Sequence, residues 1–62
     1  MPDKAALQDA LMMRLYFSDK PLSRDQVLDI ARDSLKEYPV ELNGFAAWFE
    51  INETYLLARL NA

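Results

Sequence analysis

The stretch from Leu22 to Tyr38, LSRDQVLDIARDSLKEY, is where every local signal agrees, and it limits what the rest of the chain can become. Ser23 is placed to accept from the backbone N–H of Gln26. Gln26 can reach back to close a capping box, and Leu22 and Val27 occupy the two staple positions. At about 100° per residue, Val27, Leu28, Ile30, Ala31, Leu35 and Tyr38 fall in one sector. Asp25, Gln26, Asp29, Arg32, Asp33, Lys36 and Glu37 take the other. Pro39 lacks the N–H a helix needs and pushes Tyr38 out of the helical region, so the element is expected to end there.

That helix needs a partner for its apolar face, and little chain is available to supply one. Sixty-two residues are expected to form one domain, 1–62, and a chain this short buries only roughly 60% of its unfolded surface. Cysteine and histidine are both absent, which excludes disulfides, zinc sites of the usual ligand types, and thiolate or imidazole catalysis. With 52% hydrophobic residues and a single glycine, the composition is not that of a disordered chain. Association with a second copy is the simplest way to cover apolar surface that one small core cannot hold, so a homodimer is expected. Seven basic against ten acidic residues give a net charge of −3, which opposes attraction to phosphate or anionic lipid and disfavours nucleic acid as a partner. No apolar run approaches the ~20 residues that span a bilayer. The start MPDKAALQDA lacks the basic and apolar segments of a signal peptide, so a cytoplasmic location off the membrane is expected.

Residues Asp3 to Phe17 read as a first helix, with Pro2 tolerable at its start, Asp3 near the positive end of its dipole, and good helix formers throughout. Its apolar residues run nearly all round. Leu7, Leu11 and Leu15 make one stripe, Ala6, Ala10, Met13 and Phe17 a second, and Ala5, Met12 and Tyr16 a third. A chain this small cannot surround such a helix, which points to a helix shared between subunits. Ser18, Asp19, Lys20 and Pro21 form a short polar turn into the second helix.

The last third, PVELNGFAAWFEINETYLLARLNA, admits a strand or a helix reading. As a hairpin turning at Asn52 and Glu53, it pairs Phe45 with Leu60, Ala47 with Ala58, Phe49 with Leu56 and Ile51 with Thr54 on an almost wholly apolar face. The other face pairs Ala46 with Arg59, Trp48 with Leu57 and Glu50 with Tyr55. Asn-Glu lacks the glycine that a two-residue turn prefers. The fold class expected is therefore α+β, two helices followed by a C-terminal β-hairpin in a small homodimer. The competing reading is all-α, with three to four short helices and a break at Asn52.

In sequence order, FSDKPLSRDQVLDIA, LKEY and GFAAWFEINETYLLARL resemble the helix, Pro-Leu-Ser turn, helix and two-stranded wing of winged-helix domains. The likeness includes those of the chromosome segregation and condensation protein B type, and it covers residues 13 to 60. Between Ser23 and Tyr38 there is room for one helix, where such domains place two, the second being the one that reads DNA. The resemblance thus implies a reduced winged-helix shape, used for DNA binding or, as in some such domains, for protein association.

Asp25, Asp29, Asp33 and Glu37 stand four apart and could form a carboxylate ridge for a cation or a basic partner. The plainer reading is a solvated face in which Asp29 meets Arg32 and Asp33 meets Lys36. Phe45, Trp48, Phe49 and Tyr55 could stack on bases, but such sites interleave aromatics with several cations, and only Arg59 lies near in sequence. The residues expected at an interface are Leu7, Leu11, Met12, Leu15 and Tyr16 on the first helix, with Trp48, Tyr55 and Leu57 on the outer face of the hairpin. No catalytic residue, metal ligand or cofactor is assigned, and the chain is read as non-enzymatic. Its expected function is that of a protein-interaction or regulatory module acting as a homodimer. The alternative is a nucleic-acid-binding regulator of reduced winged-helix shape.

Overall fold

In a computed structural model, which describes residues 3–62, the first helix stops one residue short of its expected bounds at each end, with Asp3 and Phe17 as its caps. Helix α1 (Lys4–Tyr16) is opened by Asp3, whose carboxylate accepts from the Ala6 N–H at 2.8 Å. Pro2, read as the lead-in to this helix, lies outside the described residues. Lys20 closes the other end. Its ammonium donates to the carbonyls of Leu15, Tyr16 and Ser18 at 2.5, 3.2 and 3.1 Å, placing a cation on the negative end of the dipole. The Lys20–Pro21 peptide within the turn that follows is cis.

Helix α2 (Arg24–Ser34) carries the complete capping box: Ser23 accepts from Gln26 N–H at 3.2 Å and Gln26 accepts from Ser23 N–H at 2.7 Å. Val27, Ala31 and Leu35 are buried, and Leu28, Ile30 and Tyr38 are half-buried, so one face is core as its periodicity requires. The helix ends at Ser34 rather than at Tyr38, with Leu35 as C-cap and a turn carrying the chain to Pro39. Asp29 does pair with Arg32, at 2.9 Å. Asp33 turns instead to Arg14 on α1, at 2.6 Å, and that guanidinium, first by its hydrogen bond and then by its charge, holds the carboxyl below its ordinary value.

The expected hairpin is not formed. Residues Pro39–Leu60 make a single helix, α3, and no strand occurs among the described residues, so the architecture is all-α and not α+β. Pro39, which stops α2, also starts α3 from its first turn, a position where its missing N–H costs nothing. Leu42, Phe45, Phe49, Leu56 and Leu60 then recur at helical spacing on one side. Phe49 and Ile51 show why the pleat fails. They lie two apart, which would put them on one face of a strand, yet Phe49 is 1% exposed and Ile51 84% exposed. Asn52 leaves helical geometry (φ −110°, ψ 15°) without breaking the element, and its amide donates to the Trp48 carbonyl at 2.9 Å. The Asn52 break of the all-helical reading is thus a kink inside one helix.

The three helices enclose one core, in which Leu11 and Leu15 of α1 and Val27 and Ala31 of α2 meet Phe49, Leu56 and Leu60 of α3. Asn61, just past α3, locks the bundle. Its side-chain oxygen accepts from the Leu22 N–H at 2.8 Å, and its nitrogen donates to the Leu22 carbonyl at 2.9 Å. The N–H and C=O of Leu22, from two successive peptide groups and part-buried, are thereby both satisfied by a single side chain.

Two outcomes follow for denaturant unfolding in dilute solution. Phe49→Ala lowers stability by about 3–5 kcal/mol, whereas Ile51→Ala changes that of the protomer by less than about 0.5 kcal/mol. Equal effects would restore the pleated reading. Asn61→Ala lowers it by about 1–3 kcal/mol, because both Leu22 groups lose their partner, and an unchanged midpoint would show that the clamp is not formed.

Candidate functional site

Each helix of the bundle presents one stripe to the core, but α1 and α3 carry further apolar residues on the flanks that face each other. They also pack on each other more sparingly than either packs on α2. The result is an open groove of about 770 Å³ between them. Leu11 and Leu56, both buried, form its floor. Gln8, Met12 and Tyr16, four apart on α1, make one wall; Phe45, Trp48 and Tyr55 on α3 make the other. Phe45 holds the α3 wall in place by stacking on Phe49 at 5.8 Å and tilting against Trp48 at 6.0 Å.

Gly44 widens this wall. The only glycine of the chain lies inside α3, and a Cβ built on it meets nothing within 4 Å. Glycine in a helix interior is unfavourable by roughly 0.5–1 kcal/mol relative to alanine. Among the described residues nothing approaches closely enough to require it.

Charge is confined to the ends of the groove, with Lys4 and Glu41 at one and Arg59 at the other. Arg59 lies over the Tyr55 ring at 5.7 Å and donates to the Tyr55 hydroxyl at 3.4 Å. The neighbouring Tyr16 side chain, more than Tyr55, holds its guanidinium above the ordinary value. The other three arginines each meet a carboxylate: Arg14 pairs with Asp33, Arg24 with Glu53 and Asp25, and Arg32 with Asp29. Among the described residues Arg59 and Glu41 have no such partner.

Of the residues expected at an interface, Leu11, Met12, Tyr16, Trp48 and Tyr55 come together around this groove. Leu15 is wholly buried in the core, while Leu7 and Leu57 are half-buried and pack against it. Reading residues 45–60 as a hairpin hid the place of Phe45, because the pleat turns it to the face opposite Trp48 and Tyr55. Helical spacing of Gly44, Trp48, Tyr55 and Arg59 was the signal available. The aromatic residues read as possible base-stacking platforms are divided: Phe49 is core, and the others wall the groove. The carboxylate ridge lies along α2, and among the described residues no cluster of acidic side chains could hold a metal ion. No described helix is long and apolar enough to cross a membrane.

A groove with hydrocarbon and aromatic walls and charges only at its ends binds by covering apolar area and orients its occupant by those charges. No family model, curated protein or solved structure matches the chain.

Gly44→Ala raises the thermal stability of the protomer, by about 0.5–1 kcal/mol, since it improves helix propensity and meets open space. A destabilised variant would mean that something in the protomer already occupies that space.

Proposed function

We propose that this chain is a non-enzymatic protein-interaction module, an adaptor or regulator, whose binding face is the groove between α1 and α3. The observation that carries this reading is the apolar groove itself, walled by Met12, Tyr16, Trp48 and Tyr55 and left unfilled by the protomer's own side chains. Its length suits a helix. From Lys4 to Tyr16 the α1 wall rises about 18 Å, a little over three turns, which matches an amphipathic segment with anchors at i, i+3 or i+4, and i+7. Met12 supplies an adaptable contact and the aromatic residues large, rigid ones. The nucleic-acid alternative has less to support it. Three arginines are occupied by carboxylates, the net charge is −3, and the segment that resembled a wing is helical.

Capture from a lysate of the native host tests the proposal, with a differently tagged second copy of the chain included. Wild type retains a protein partner that Tyr16→Glu, a change at an exposed position that keeps the helical circular dichroism, loses by about tenfold or more, because an aromatic wall of the groove is replaced by a charge. Equal retention by both, or specific duplex DNA retardation that weakens steeply with salt, would overturn it.

A further inference from the structure

The groove is one edge of a wider apolar strip on α3. Val40, Gly44, Trp48, Ile51 and Tyr55 recur at spacings of three and four, the period by which one helix packs along another. Val40 is 77% exposed, Tyr55 57% and Trp48 43%, and with Ile51 they account for four of the seven large exposed apolar side chains of the described chain. Glu41 and Arg59 flank this strip on its groove side, one at each end, and neither has an ion-pair partner among the described residues.

We propose that the occupant of this face is a second copy of the chain, with the two α3 helices crossing antiparallel about a two-fold axis beside the middle of the strip. This rests on the groove being the binding face and names its partner. A single antiparallel register sets Trp48 of one protomer against Ile51 of the other and Gly44 against Tyr55, and brings Glu41 within one residue of the position opposite Arg59, inside the reach of the two long side chains. Each pairing then occurs twice, as an isologous contact requires. The space beside Gly44, which no described residue fills within 4 Å of a Cβ, receives the largest side chain of the opposing strip's far end. The unpaired charges meet their opposites. A parallel arrangement would instead face Glu41 with Glu41, Arg59 with Arg59, and glycine with glycine. The surface needed is available: a standard interface takes about 800 Å² per partner, under a fifth of the 4458 Å² of this protomer.

The charges allow a test that leaves the core untouched. Glu41→Arg and Arg59→Glu each place like charges at both contacts of their own dimer, whereas an equimolar mixture of the two variants places opposite charges at both. In sedimentation velocity over a concentration series, wild type is a dimer at micromolar concentration. Each variant alone associates at least about tenfold more weakly, and the mixture recovers wild-type association as a heterodimer. Gly44→Leu, whose Cβ meets nothing within 4 Å among the described residues, also weakens the dimer without loss of helicity. A mixture no tighter than either variant, or a wild type still monomeric at about 100 µM, overturns the proposal. The groove reading would survive either result, since its own failure shows separately as partner capture that Tyr16→Glu does not change.

Discussion

A helix in a three-helix bundle can turn only one stripe inward, and both α1 and α3 carry more apolar side chains than one stripe holds. On α3, Phe49, Leu56 and Leu60 take the inward positions, which forces Val40, Trp48, Ile51 and Tyr55 outward. On α1, Leu11 and Leu15 are inward, and Met12 and Tyr16 turn toward α3 to wall the groove. The groove is the geometric remainder of this surplus. Its position between the first and third helices reflects which pair of elements shares the least contact.

With so small a core, the polar fittings at the helix ends carry much of the specificity. Asp3, the Ser23–Gln26 box and Lys20 satisfy backbone groups that a terminus leaves open. Arg14 and Arg24 tie α2 to its neighbours from opposite sides, through Asp33 and Glu53. Such exposed pairs contribute little energy each, and here they fix the orientation of α2 more than they stabilise it.

The second helix was legible because its cap and its contrast between faces coincide: Ser23, Gln26 and the Val27–Ala31–Leu35 stripe leave one arrangement open, while the first was legible from its run of good helix formers. The third was not, and the reason is the same surplus that builds the groove. Trp48 and Ile51, outside the core, blur the period of Phe45, Phe49 and Leu56, and an apolar run without contrast reads equally as a pleat. Pro39 held usable information, since a residue that terminates one helix is also well suited to open the next. Half of the groove could be named from α1 alone, through Met12 and Tyr16. Phe45 joins Trp48 and Tyr55 at the groove only when α3 is helical, because a pleat turns it to the opposite face.

The Asn61 clamp has a consequence for how the molecule opens. Its two hydrogen bonds join positions 39 apart in the chain, whereas the helices themselves are held by local bonds. Neither α3 alone nor the α1–α2 pair alone can form the clamp, so it exists only when the end of α3 is docked beside the start of α2. The amide proton of Leu22 therefore exchanges with solvent whenever α3 undocks, even if every helix stays wound, and makes that single position a probe of tertiary opening distinct from helix fraying.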